Sequence, residues 1–101
     1  MRIAIIGSGN VGRALSKAAV GAGHKATLSD AHLEHAAQVA AEVGARAAQS
    51  NSAAVASSDV AILAVPGSVA SEVAREIALA AEGKIVIDST NPSTRPSPTW
   101  M

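Results

Sequence analysis

The sequence predicts an α/β domain built on a doubly wound parallel sheet of five strands. Three observations lead there. Short apolar runs, IAII at 3–6 and VAILAV at 60–65, alternate with alanine-rich stretches of helical length. A glycine-spaced turn, GSGNVG at 7–12, joins the first run to the first helical stretch. The length, 101 residues, fits one domain with no room for a second. Right-handed βαβ crossovers then give the strand order 3-2-1-4-5, with the sixth strand and a substrate domain absent. The domain is expected over residues 1–92, followed by a proline-rich tail over 93–101.

Each element has its own signal. Ile3 to Ile6 is a continuous apolar run, as in a strand buried on both faces. A helix is expected from Asn10 to Ala22, with Val11, Leu15, Ala18 and Ala22 inward and Gly21 and Gly23 ending it. HKATLSD (24–30) is the second strand, and AHLEHAAQVAAEV (31–43) is a helix of strong formers stopped by Gly44. ARAAQ (45–49) is a weak strand at an edge. SNSAAVASS (50–58) opens on good N-cap residues and suits a short helix. DVAILAV (59–65) is a buried strand ended by Pro66-Gly67. Ser68 can cap a helix reaching about Ala81, with Val69, Val73 and Ile77 inward. GKIVIDST (83–90) is the last strand. The end, NPSTRPSPTWM, holds three of the four prolines and continues neither a helix nor a central strand.

Composition removes several functions. Net charge is zero and no basic cluster occurs, so phosphate-neutralising nucleic acid binding has no footprint. No apolar run is long enough to span a bilayer or to act as a signal peptide, which makes a cytoplasmic location the expectation. The absence of cysteine excludes disulfides, thiolate zinc sites and thiol chemistry. With no Phe or Tyr, one Trp and much alanine, the core buries little area per contact, so a ligand or partner subunit would add to stability.

The glycine turn carries the chemistry. Gly7 permits the tight turn, Gly9 lets a pyrophosphate approach the backbone, and Gly12 lets the helix pack near the strand. Free N–H groups and the positive end of the helix dipole would then face the phosphates. Ser8 is expected to donate its hydroxyl to a phosphate oxygen, and Asn10 to cap the helix or point at the cofactor. A turn that binds nothing, or an S-adenosylmethionine or mononucleotide site, are the alternatives.

Asp30 ends the second strand 18 positions after Gly12, near the spacing of the acid that holds the adenosine ribose. Its carboxylate would accept from the ribose hydroxyls and repel a 2′-phosphate. No Arg or Lys lies between Lys25 and Arg46, leaving His32 and His35 as the local cations when protonated. NAD is therefore expected over NADP. Capping of the second helix by Asp30 is the plainer alternative, and both roles are compatible.

With GAGHKATLSD (21–30), AILAVP (61–66) and VIDSTNP (86–92) also placed, the chain resembles the N-terminal NADP-binding domain of the deazaflavin-dependent NADP oxidoreductases. Parts of these motifs are shared with pyrroline-carboxylate reductases and β-hydroxyacid dehydrogenases. The resemblance implies that Ser8, Gly9, Asn10 and Val11 surround the pyrophosphate. It also implies that Val65 and Pro66 flank a ribose and that Asn91-Pro92 lie near the nicotinamide. Where such proteins carry Gly-Ser-Arg after the second strand, this chain has Ser29-Asp30-Ala31, and His35 stands where a lysine is expected. That departure agrees with the NAD preference read from Asp30. Such proteins are also longer, their further half supplying the other substrate's pocket.

Other titratable residues have plainer readings. His24 is structural, His32 and His35 form a solvated helix face rather than a metal pair, and Asp59 caps or ends the preceding helix. Asp88 takes a buried hydrogen-bonded place in its turn, with proton transfer as the minority reading. No catalytic constellation is present. The expected function is an NAD(P)-dependent oxidoreductase or its cofactor-binding domain, working with a small-molecule redox partner, a deazaflavin or flavin among the candidates, and forming a homodimer in one version. The alternative is a non-catalytic nucleotide-binding module, or a half-subunit completed by a partner.

Overall fold

The computed structural model describes residues 1–89, so Asn91, Pro92 and the tail over 93–101 lie outside the described residues. The elements run β1 (Arg2–Ile6), α1 (Asn10–Gly21), β2 (Lys25–Ser29), α2 (Leu33–Val43), β3 (Arg46–Ala47), α3 (Asn51–Ala56), β4 (Val60–Leu63), α4 (Gly67–Ile77) and β5 (Ile85–Asp88). The sheet order is β3-β2-β1-β4-β5, with every neighbouring pair parallel. This is the predicted order. β1 sits centrally, with Ile5 beside Leu28 of β2 and Ile6 beside Leu63 of β4.

Two apolar layers flank the sheet. Ile5, Ala26 and Leu28 meet Ala36, Val39 and Ala40 of α2, with Leu15, Ala19 and Val20 of α1 at the margin. On the other face Ala4, Ile6, Ala61 and Leu63 meet Ala54 and Val55 of α3 and Ile77 of α4. The largest fully buried apolar side chains are Ile5, Ile6, Leu28, Ile77, Val39 and Val55, each stabilising by about 1.5–3 kcal/mol.

The packed face of α1 differs from the expected one. Gly12 and Ser16 are buried, whereas Val11 is 54% exposed and Ala18 and Ala22 face solvent. Asn10, Arg13 and Lys17 give helix α1 one polar stripe, but its alanines spread over much of the rest, so the apolar stripe alone leaves the buried line open. Backbone proximity fixes it: a Cβ on Gly12 would collide with the Gly7 carbonyl oxygen and stand 2.8 Å from its carbon. The helix therefore approaches through Gly12, and Ser16, one turn on, follows it inward. The Ser16 hydroxyl is satisfied by the Gly12 carbonyl at 2.7 Å.

Several ends also differ. Asn10 does not cap α1; Gly9 occupies the cap position and no side chain caps the helix. The cap of α4 is Pro66, fixed at φ −56°, and Ser68 lies inside the helix. Helix α4 stops at Ile77 rather than near Ala81, passing into a turn in which the Ala81 N–H reaches the Ile77 carbonyl at 2.8 Å. Ser50 does cap α3, accepting the Ala53 N–H at 3.0 Å. At the other end of this short helix, Lys84 Nζ donates to the carbonyls of Val55 and Ala56 at 2.7 and 2.9 Å. Asp59 ends no helix; it pairs with Arg2 of β1, through backbone N–H and guanidinium, both at 3.1 Å. Asp88 is exposed rather than buried.

Candidate functional site

Every strand points its carboxyl end to the same rim, and the order reverses between β1 and β4. A cleft of about 640 Å³ opens there, between the loop after Ile6 and the loop after Leu63. Of the residues singled out in the sequence, Gly7, Ser8, Gly9, Asp30, His35, Val65 and Pro66 line it. Asn10, Val11, Gly12 and Ser29 are outside its lining, and Asn91 lies outside the described residues.

The three glycines play separate parts. Gly7 has φ +109°, a conformation L side chains rarely adopt, and a Cβ there would collide with the Ala64 carbonyl oxygen. Its N–H is held by the Ser29 carbonyl at 2.7 Å, which binds the loop to β2. Gly12 allows the close helix approach already described. Gly9 has ordinary backbone angles, and a Cβ on it would meet nothing within 4 Å. The space over Gly9 is thus open.

What faces that space is a helix start. The first backbone bond of α1 runs from the Arg13 N–H to the Gly9 carbonyl at 2.8 Å. The N–H groups of Asn10, Val11 and Gly12 have no partner further back in the helix and no side-chain cap. Their aligned dipoles favour an anion, and a bare glycine beside them admits one the size of a phosphate. Asn10 and Val11 belong to the site through these backbone groups rather than their side chains.

Ser8 departs from its expected role. It is buried, and its hydroxyl donates to Asp30 Oδ2 instead of standing free for a ligand. The Ser8 N–H reaches the same oxygen at 2.9 Å, and the Ser8 Oγ lies 2.8 Å from His35 Nδ1. The other oxygen, Asp30 Oδ1, accepts the His32 N–H at 2.9 Å, so the acid does hold the entry to α2. Partial burial pushes the Asp30 carboxyl up. The bonds from the His32 N–H, the Ser8 hydroxyl and the Ser8 N–H, with His35 nearby, outweigh it and hold the group below its ordinary value. His35 is not merely on a solvated face: its ring lies in the cleft wall with Nδ1 3.7 Å from Asp30 Oδ2. No cluster of metal-ligating side chains occurs among the described residues.

The opposite wall was not legible in the sequence. Asn51 opens α3, and Glu72, Val73 and Glu76 come from α4. Ser29 donates to Asn51 Oδ1 at 2.6 Å, and Asn51 Nδ2 donates to Glu76 Oε1 at 2.9 Å. Ser29 is buried, so its contribution is to orient Asn51. These partners are 22 and 25 positions apart, and no local pattern announces such pairs. His24 lies away from the cleft, its Nδ1 3.3 Å from the Met1 amino group.

Comparisons with known proteins agree with this geometry. The profile of a family described as NADP oxidoreductase, coenzyme F420-dependent, matches residues 2–92. Among solved structures, 3-hydroxyisobutyrate dehydrogenase from Mycobacterium tuberculosis is 35% identical with a TM-score of 0.80; the match covers 88% of this chain and 31% of that one. An imine reductase variant from Myxococcus stipitatus, in complex with NAD+, is 26% identical with a TM-score of 0.78, over 88% of this chain and 31% of that one. UDP-N-acetylglucosamine 3-dehydrogenase from Acidithiobacillus ferrooxidans is 32% identical with a TM-score of 0.73, over 87% and 29%. The chain therefore spans about a third of the length of the solved structures it matches. A search of curated proteins gave no match.

Proposed function

The chain belongs to the coenzyme F420-dependent NADP oxidoreductase family, and from that premise we propose that it binds NAD or NADP in the cleft and presents the nicotinamide for hydride transfer. The observation that carries this reading is the open space over Gly9 beside three unmatched helix N–H groups. A pyrophosphate fits that cradle by charge and by size. Residues 1–92 would be the cofactor-binding domain. Asp30, through what remains of its accepting capacity, and His35 would meet the adenosine ribose. Val65 and Pro66 would pack against a ribose, and Asn91 would lie toward the ring.

When bound, the dinucleotide supplies the hydride chemistry. The chain's own part is to bind, orient and exclude water. Gly7 and Gly12 set the loop, the helix start holds negative charge, and the apolar side chains Val65, Val69 and Val73 make a dry wall. The redox partner is a small molecule, with a deazaflavin or flavin among the candidates, and a homodimer would wall the nicotinamide side.

Isothermal titration calorimetry with NADH and NADPH tests the reading. At least one should bind with micromolar to millimolar affinity. Gly9→Val should abolish binding while leaving the circular dichroism spectrum unchanged, because the new side chain fills ligand space and its Cβ has no protein atom within 4 Å. A folded protein that binds neither nucleotide refutes the reading. A nucleotide-binding module without turnover is the second reading. Nucleotide bound by a monomer, with no reduction of deazaflavin, flavin or quinone acceptors, would select it.

A further inference from the structure

Each of the three strands on one side of the sheet opens on a cation: Arg2 begins β1, Lys25 begins β2 and Arg46 begins β3. The register brings them together. Arg2 stands beside Lys25, Arg46 stands beside Thr27, and Lys25 and Thr27 alternate with Ala26 on one strand, so all four side chains leave the same face. It is the face that carries Ala4 and Ile6, covered further along by α3 and α4. Neighbouring strands lie about 4.8 Å apart, so three positive groups gather within roughly 10 Å of sheet. They sit at the amino rim, the end opposite the cleft already described. The sequence shows no basic run because the three are far apart along the chain.

A second cavity, of about 360 Å³, opens on these groups, lined by Arg2, Lys25, Thr27, Arg46 and, at the end of α3, Ser57. Among the described residues no carboxylate lines it, although the chain carries as many acids as bases. The Arg2 guanidinium is matched by Asp59, which accepts from its Nη2 at 3.1 Å and its Nε at 3.4 Å and leaves Nη1 to donate elsewhere. Lys25 and Arg46 pair with no acid among the described residues, and the Thr27 hydroxyl has no hydrogen-bond partner among them. Like charges directly opposite one another in a sheet are destabilising, and Arg2 faces Lys25 in register. The fold carries that repulsion around an open cavity.

We propose that this cavity is a second anion site, which takes the phosphate group of a small molecule. Charge, shape and size each point there. Lys25 and Arg46 supply two unmatched positive charges, and a phosphate monoester carries about −1.5 to −2 at neutral pH. A tetrahedral phosphate turns oxygens toward several strands at once, so the Arg46 fork can hold two while Lys25 and the Thr27 hydroxyl take others. A carboxylate has two coplanar oxygens, which satisfy the Arg46 fork alone. The volume lies at the low end of the about 300–1,000 Å³ typical of small-molecule sites, which suits a phosphorylated fragment better than a dinucleotide. Free phosphate and a phosphate ester present the same group. The site is independent of the dinucleotide reading, since no residue lines both cavities.

Amide 1H–15N spectra of the full chain, titrated with inorganic phosphate and separately with glycerol phosphate at constant ionic strength, test it. The amides of Lys25, Thr27, Ala45 and Arg46 should shift saturably with a millimolar Kd. They should shift equally in Gly9→Val, whose cradle at the other rim is filled. Lys25→Gln combined with Arg46→Gln should weaken binding at least about tenfold, the loss expected of a charge-assisted bond. Both side chains are exposed, so the double variant keeps its fold. Its urea midpoint without phosphate should equal or exceed that of the wild type, because like charges have been removed. Tighter binding of the ester assigns the site to phosphorylated small molecules, tighter binding of the free ion to phosphate itself, and either upholds it. Shifts on this rim that never saturate, or saturable ones that survive in the double variant, overturn the proposal. So do shifts that vanish in Gly9→Val, and so does a markedly lower midpoint in the double variant, which would assign the cations to the fold.

Discussion

At the scale of single residues, the loop separates positions that serve the fold from those that serve the ligand. Gly12→Ala places a methyl group against the Gly7 carbonyl, a backbone group that cannot rotate aside. It should destabilise the protein by about 1–3 kcal/mol in urea unfolding, the usual cost of overpacking, even with no nucleotide present. Gly9→Val, by contrast, acts on affinity. Asp30 adds a pH signature. Its native carboxyl is held below the ordinary 3.8, so its stabilising contribution is complete above that value and is lost as pH falls through the depressed one. The stability gap between wild type and Asp30→Asn should narrow on acidification from about pH 6 to about pH 3; a gap constant over that range would contradict the bonding described. The glycine roles were legible because backbone needs map directly onto residue type. Ser8 was not: a serine in a phosphate-binding loop reads as a ligand donor, and only the fold brings Asp30 and His35 to it from 22 and 27 positions away.

At the scale of elements, burial is uneven across the sheet. β1, β2 and β4 are enclosed, whereas every residue of β5 is exposed, with Ile85 at 62% and Ile87 at 48%. Ile85 pairs with Val60 and Ile87 with Ile62, so both share the face on which the α1 and α2 layer takes in β1, β2 and Ile62 of β4 but no residue of β5. Leu28→Ala should therefore cost about 2–5 kcal/mol, and Ile85→Ala no more than about 0.5 kcal/mol, by chemical denaturation. Equal costs would mean that the edge strand is covered in solution. The apolar run identified β5 as a strand without revealing its exposure, since a run of Ile and Val reads alike at a covered or an open edge. Helix α1 shows the reverse limit. Its polar stripe of Arg13 and Lys17 turns outward, but its alanines leave the buried line loosely defined, and Gly12 sets it. The caps divide similarly: Ser50 follows local preference, whereas α4 begins at Gly67 directly after Pro66 and leaves Ser68 inside the helix.

At the scale of the whole molecule, parallel strands gather separate pieces of sequence at one rim. Strand order and the position of the cleft were legible because alternating strands and helices allow few arrangements, and the order reverses at one place. The polar wall of Asn51, Glu72 and Glu76 was not, because its members meet only after α3 and α4 dock on the same face of the sheet. The loop that would receive phosphate has no slack. Gly7 is tied to Ser29, Ser8 to Asp30, Gly9 to Arg13, and the Gly7 carbonyl rests against Gly12. A receptor so braced has no closed form to leave before its guest arrives. Stopped-flow traces of NADH capture should then be single-exponential, with an observed rate rising in proportion to nucleotide concentration and never levelling off.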